Sequence, residues 1–349
     1  MAYEKELLIA QLAVQRAVIL TSVVFNSKVR GTVNKSDRSP VTIGDFGAQA
    51  LIISALKANF PQDEIVAEEE SSKLAENETL RKQVWDLVRE VKLDDDASEE
   101  ALGGAVKTEE DMLKLIDMGK SNGGAKGRIW AIDPIDGTKG FLRGGQYAVC
   151  LALIVDGDVK VGVLGCPNLP VEDSAPMTAD VSSDSGVLFA ASQGQGSISR
   201  TITTGALSPA RSISMRPLTD ISKAAFCESV ESGHSAHDEQ AIISQRLGIT
   251  APSVRMDSQA KYASIARGAG DIYLRLPTSK TYEEKIWDHA SGCLIVKEAG
   301  GVVTDANGKE LDFGIGKTLK ANKGVVGAPR NVQAEVLKVV QAVLAERAS

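Results

Sequence analysis

The chain has 349 residues, enough for two packed domains or one large one. Hydrophobic residues make up 43% and charged residues 24%, ordinary proportions for a globular protein; aromatics are only 4%, which disfavours stacking of nucleic-acid bases. With 39 basic against 46 acidic residues the net charge is −7. That excludes a general polyanion-binding surface but leaves room for a small phosphorylated substrate held by a few local cations.

Residues 4–25 carry Leu7, Val14 and Val18 on one side of a helical wheel, with Leu8, Leu12 and Ile19 beside them, and read as an amphipathic helix docked on a core. Charges interrupt this segment, unlike the apolar region of a secretory signal, and no run approaches the ~18 uninterrupted apolar residues of a membrane span. A second helix is expected over 42–60, stopped by Pro61, and a short strand at Ile65-Val66 runs into Glu68-Glu69-Glu70. Residues 71–128 are polar and read as one or two surface helices with a mobile loop, the Asp94-Asp95-Asp96 patch being a solvated face. A strand at 129–132 stops at Asp133-Pro134. Residues 147–155 and 159–164 then flank Asp156-Gly157, a dipeptide suited to a type I′ hairpin turn, and the first arm is apolar enough to be buried on both faces. After an exposed loop at 170–186 and a strand at 186–191, a Gly/Ser/Thr-rich stretch suggests a boundary between domains at 1–205 and 206–349. The second half alternates: helices at 237–247, 258–267, 288–299 and 332–344, strands at 272–276 and 302–304. Such alternation argues an α/β fold. The four cysteines, Cys150, Cys166, Cys227 and Cys293, stand singly, which excludes a thiolate zinc site and a disulfide framework and fits a reducing cytoplasm.

The run Asp133-Pro134-Ile135-Asp136-Gly137-Thr138 lies at the end of a strand. Pro134 fixes φ and Gly137 permits a tight turn, so two carboxylates and the Ile135 carbonyl can converge. Hard oxygen donors without His or Cys suit Mg²⁺ rather than zinc. Taken alone, such a turn is more simply one whose aspartates bond their own backbone. Asp288 alone reads as a helix N-cap, and Thr42-x-x-Asp45 as a capping box. Glu68, Asp45 and Asp288 all at element ends beside this turn make a joint acidic site the better reading. An anion-binding half is also visible: Gly233-His234-Ser235 before one helix, Ser258 and Lys261 at the start of another, and Arg275 ending a strand. No Walker motif and no strand–GxGxxG–helix unit occurs, which disfavours an NTPase or a dinucleotide enzyme.

Asp133-Pro134-Ile135-Asp136-Gly137-Thr138-Lys139-Gly140-Phe141 resembles the first signature of the inositol monophosphatase-like, lithium-sensitive phosphatases, and Trp287-Asp288-His289-Ala290-Ser291-Gly292, running on to Glu298-Ala299-Gly300-Gly301, resembles their second. Within that family, Lys139-Gly140-Phe141-Leu142-Arg143-Gly144, Gly165-Cys166-Pro167-Asn168, Gly233-His234-Ser235-Ala236-His237 and Asp257-Ser258-Gln259-Ala260-Lys261-Tyr262 resemble the 3′(2′),5′-bisphosphate nucleotidase branch. The resemblance implies a layered αβαβα sandwich, an α+β N-terminal part joined to an α/β C-terminal part. It implies removal of the 3′-phosphate of adenosine 3′,5′-bisphosphate (PAP) to leave AMP, and action on the 5′-phosphosulfate analogue (PAPS). Two or three Mg²⁺ ions would be held by Glu68, Asp133, Asp136, Asp288 and the Ile135 carbonyl. Asp45 and Thr138 would orient and deprotonate the attacking water. Thr138, His234, Ser258, Lys261, Arg275 and Asp288 would contact the nucleotide. Sensitivity to Li⁺ is implied as well. The chain departs from the family at Ala67-Glu68-Glu69-Glu70, so the first acidic ligand is Glu68 or, one residue on, Glu69. The expected state is a cytoplasmic monomer acting on a small molecule, with neither nucleic acid nor membrane as partner. Two other readings stay open: an inositol mono- or polyphosphate 1-phosphatase, and a catalytically silent phosphonucleotide sensor.

Overall fold

Alternation of side chains across the strands assigns each face of the central sheet its own helical layer. In the computed structural model, which describes residues 2–29, 39–179, 181, 185–231, 236–279 and 281–348, the chain begins with the long helices α1 (Glu4–Val29) and α2 (Ser39–Asn59), followed by strand β1 (Glu64–Ala67). Residues 71–128 hold four short helices, not one or two: α3 (Ser72–Ala75), α4 (Glu78–Glu90), α5 (Asp96–Ala101) and α6 (Glu109–Asp117). The starts of α4, α5 and α6 are set by Asn77, Asp95 and Thr108, each accepting a backbone N–H three residues on. Then come β2 (Arg128–Asp136), α7 (Thr138–Arg143), β3 (Ala148–Val155), β4 (Asp158–Pro170), β5 (Ser185–Ser192), β6 (Ser197–Thr201) and β7 (Arg211–Ile213). β1 to β7 form one sheet in sequence order, antiparallel except for β1 beside β2. The β3–β4 turn has Asp156 at φ 51° and Gly157 at φ 86°, the paired positive φ of the expected hairpin.

Past Ile213 the chain enters a second sheet, built from β8 (Phe226–Glu228), α8 (His237–Arg246), β9 (Val254–Arg255), α9 (Ala260–Ala266), β10 (Ile272–Arg275), α10 (Ala290–Glu298), β11 (Gly301–Thr304), β12 (Val325–Pro329) and α11 (Gln333–Ala348). Its order is β11-β12-β10-β8-β9.

Trp130, Ile132, Leu151 and Leu153 pack against α1 and α2 through Val14, Val18 and Ile52. The intervening residues, Ile129, Ala131, Cys150 and Ala152, face the other way, into α9 and α10. The same middle helices meet Tyr273 and Val325 of the second sheet, whose far face packs Ile272, Leu274 and Val326 against Ile243 of α8 and Val336 and Val340 of α11. The layers therefore run helix, sheet, helix, sheet, helix, as the resemblance implies. By length and hydropathy α1 and α2 are apolar enough to cross a membrane, yet 72% of each apolar window is buried inside the protein. Arg16 sits in the middle of α1, fully buried, where it donates to Glu99 at 2.7 Å and to the Leu51 carbonyl at 2.9 Å.

Candidate active site

β2 carries its ladder as far as Asp133, breaks register, and pairs once more at Asp136. In that irregularity Asp133 accepts the Ile135 N–H at 3.1 Å, and the Thr138 hydroxyl donates to the Ile135 carbonyl at 3.4 Å. Gly137, at φ 90°, closes the turn against Ser258: a Cβ there would lie 2.9 Å from the serine's own. From behind, α2 approaches so closely that a Cβ on Gly44 would stand 2.7 Å from Ile135. This contact brings the next residue, Asp45, buried, up to the acidic turn. Because α2 starts at Ser39, Asp45 lies in its second turn and the capping-box alternative is set aside.

Asp288 ends the 3-10 turn Ile286–Asp288, and His289, not Asp288, occupies the N-cap position of α10. Carboxylate oxygens of Asp133, Asp136 and Asp288 all lie within 4.8 Å of one another. Burial pushes Asp133 well above the usual carboxylate range, and Glu68, Asp136 and Asp288 push it further. Burial also raises Asp288, Asp136 and Asp45. The Glu68 side chain stands open to the cleft, yet the protein around its carboxylate displaces enough water, helped by the Glu69 charge, to push it up to about 7. Glu68 hydrogen-bonds Asp133, whereas Glu69 turns its carboxylate to Lys73 at 3.5 Å. The geometry thus separates the two glutamates that the sequence leaves open, and turns Glu68 toward the cluster. Crowded carboxylates of this kind repel one another unless a cation sits among them. The donor set, all oxygen, fits a hard divalent ion.

The cluster forms one wall of a cleft of about 350 Å³. Lys261 and Arg275 line the same cleft with Ser258, which is held at φ 66°, an uncommon conformation for a side chain larger than glycine. Here the structure differs from the sequence reading in detail. The helix begins at Ala260 rather than Ser258, and the buried Lys261 ammonium already donates to the carbonyls of Ser258 at 2.7 Å and Met256 at 3.1 Å. Arg275 is spoken for as well: its fork grips Glu284 at 2.8 and 2.6 Å, with Asp288 at 3.9 Å. Burial would lower the arginine, but the Glu284 charge overrides this and raises it. Burial would raise Glu284, but its bond from His289 and the Arg275 charge hold it down to about 2. His289, fully buried, sits between Glu284 at 3.3 Å and the Tyr262 hydroxyl at 2.9 Å. At the mouth, Glu231 binds Lys139 at 2.8 Å and Arg143 at 2.6 Å, and Arg143 reaches Asp257 at 2.7 Å. His234 lies outside the described residues.

Sequence reasoning missed Glu284, Gln259 and the mouth pairs as parts of the site. Gln259 stood inside a quoted motif. Glu284, three residues before the run that starts at Trp287-Asp288-His289, carried only its position as a signal.

The inositol monophosphatase family model matches residues 4–345. The chain belongs to the inositol monophosphatase family. Among its relatives is a 3′(2′),5′-bisphosphate nucleotidase of Emericella nidulans, 63% identical over 99% of both chains. Another protein of that name, from Schizosaccharomyces pombe, is 49% identical over 98% of this chain and 97% of its own, and one from Oryza sativa is 42% identical over 99% and 96%. Among solved structures, an inositol monophosphatase from Zymomonas mobilis superposes with a TM-score of 0.60 at 17% identity, covering 98% of this chain and 99% of its own. The last likeness concerns the fold alone. The family stands as the two signatures implied, and the branch as the further segments implied.

Proposed function

We propose that this chain hydrolyses the 3′-phosphate of adenosine 3′,5′-bisphosphate, leaving AMP, and accepts the 5′-phosphosulfate analogue. The names of the relatives, at 42–63% identity, support the reaction. The observation that carries the chemistry is the convergence of Asp133, Asp136 and Asp288 in a cleft that Lys261 and Arg275 also line.

Asp133, Asp136, Asp288, Glu68 and the Ile135 carbonyl would hold Mg²⁺, two or three ions in all. When bound, Mg²⁺ neutralises the phosphate's charge, which otherwise repels a nucleophile, and stabilises the leaving oxygen. Asp45 takes the proton of the attacking water and Thr138 orients that water through its hydroxyl. Lys261, Arg275, Ser258 and His234 hold the nucleotide so that the 3′-ester faces the acidic wall. The mouth pairs among Glu231, Lys139, Arg143 and Asp257 narrow the entrance and limit access of bulk water. The net charge of −7 and the four buried, unpaired cysteines support a cytoplasmic enzyme for a small anionic substrate, without nucleic acid or membrane as partner. A monomer is part of the same reading, checked by its elution volume in gel filtration.

The test is phosphate release from adenosine 3′,5′-bisphosphate, its phosphosulfate analogue and inositol 1-phosphate, each with Mg²⁺, with Mg²⁺ plus Li⁺, and with EDTA. The proposal expects nucleotide hydrolysis that EDTA abolishes and Li⁺ suppresses. Faster turnover of the inositol ester would replace it with the inositol phosphatase reading. Nucleotide binding without phosphate release would replace it with the sensor reading.

A further inference from the structure

Two of the carboxylates that must converge are carried by separate elements: Asp136 by the end of β2, Asp288 by the 3-10 turn ahead of α10. They repel each other, so something other than their own attraction must fix their separation. Gln259 hydrogen-bonds to both elements. The Gln259 backbone N–H donates to Asp136 Oδ2 at 2.5 Å. Its side-chain Nε2 donates to the carbonyl of Trp287, the residue before Asp288, at 2.8 Å. Its Oε1 accepts the Gly292 N–H at 2.8 Å and the Ser291 hydroxyl at 3.3 Å, both in the first turn of α10. The residue is 1% exposed, so these bonds face no competition from water.

The surroundings are shaped to allow this span. Ser258, at φ 66°, turns the chain so that the next N–H points at Asp136. Gly292 lets α10 press on α9, since a Cβ there would lie 2.4 Å from the Tyr262 ring. Both features suit a residue 259 whose backbone serves one acid while its side chain serves the other.

We infer that Gln259 is a positioning residue that sets the distance between Asp136 and Asp288, and thereby the affinity of the acidic site for its divalent ions. Its side chain is already engaged by these bonds, so its part is to hold the two elements rather than to transfer a proton. The inference rests on the metal-site reading above, with which it shares the two carboxylates but not the residue.

The experiment uses the full chain with Mn²⁺ as the probe, its binding read from loss of the free-ion signal in electron paramagnetic resonance, without substrate. Gln259→Met keeps the volume and the backbone N–H but deletes all three side-chain bonds. Its Mn²⁺ dissociation constant should rise about 10–100-fold, the usual cost of losing a partner that orients a ligand. The Mg²⁺ concentration for half-maximal phosphate release should rise in parallel, with KM for the nucleotide at saturating Mg²⁺ within about twofold of wild type. Gln259→Asn, one methylene too short to span the gap, should behave alike and decides the matter if the methionine variant does not fold. Val336→Ala, in the outer core, provides a control for loss of stability without change at the site. Unchanged Mn²⁺ affinity in the Gln259 variants, or an equal loss in Val336→Ala, overturns the inference. Unchanged affinity in Asp136→Asn would instead overturn the metal-site reading, and the inference with it.

Discussion

Replacing Glu284 by glutamine removes a charge beside Asp288, at the edge of the acidic cluster, while leaving a side chain of the same size between Arg275 and His289. The structure gives the magnitude. Glu284 is held from its ordinary value of 4.5 down to about 2, with only 12% of its side chain exposed. At 1.36 kcal/mol per unit this corresponds to up to ~3 kcal/mol of native-state stabilisation at neutral pH. For 349 residues the entropy of unfolding is about 0.7 kcal/mol/K, so Glu284→Gln should melt about 4 °C lower at pH 7.5. The sign of the pH dependence follows from a depressed folded-state value. The contribution is complete above the unfolded value of 4.5 and disappears as pH falls toward 2. Calorimetry with Mg²⁺ present should therefore find a constant deficit from pH 8 to about 5.5, smaller by about 1.4 kcal/mol at pH 3.5. A deficit of the same size at pH 3.5, or none at pH 7.5, would refute the electrostatic account of the Arg275–Glu284–His289 group.

Asp136→Asn should abolish phosphate release, because a neutral amide cannot offset cationic charge. Its melting temperature without added ion should hold or rise, since one of three crowded carboxylates is gone; a normal turnover would remove this turn from the site. Asp45→Asn should bind Mn²⁺ as the wild type does but turn over about 10²–10⁴-fold more slowly; lost stability with normal specific activity would make Asp45 structural. Stripping metal with EDTA should leave a protein whose melting point falls as pH rises from about 4.5 through 7. Glu68, raised to about 7 in the folded state, favours folding only while protonated, and Asp45, Asp133 and Asp288 act in the same direction. Added Mg²⁺ should restore the loss, and a flat profile in EDTA would contradict the crowding of these acids.

What could be read in advance was local. The Asp156-Gly157 hairpin, the doubly buried β3 and the Asp133–Thr138 turn each depend on neighbours in sequence, and the chain spells them out. The start of α2 was misplaced because Thr42 and Asp45 mimic a capping box, while Pro40, admissible in a first helical turn, is the earlier signal. The helices within 71–128 were undercounted although Asn77, Asp95 and Thr108 are good caps. Their apolar faces are narrow, and polarity masked the period. β12 was missed because its partners, β10 and β11, come from before it and a long irregular stretch separates it from β11. That Asp133, Asp136 and Asp288 could converge was legible in the sequence. The partners that occupy Arg275 and Lys261, or that tie Asp136 to Asp288, were not, since Glu284, Met256 and Gln259 take those roles only through tertiary placement.

The middle layer has a consequence for how the molecule comes apart. Every residue of α9 is buried, as are those of α10 from Ala290 to Val296, because each helix is roofed by one sheet and floored by the other. Neither sheet can keep its apolar face dry without these helices, and both helices come from the later part of the chain. The two sheets are thus bound to a shared fate: melting of either strips the other, and a single heat-absorption peak should mark the loss of both. A truncation after Ile213 would leave the seven-stranded sheet with one face bare, a surface suited to aggregation rather than to folding alone.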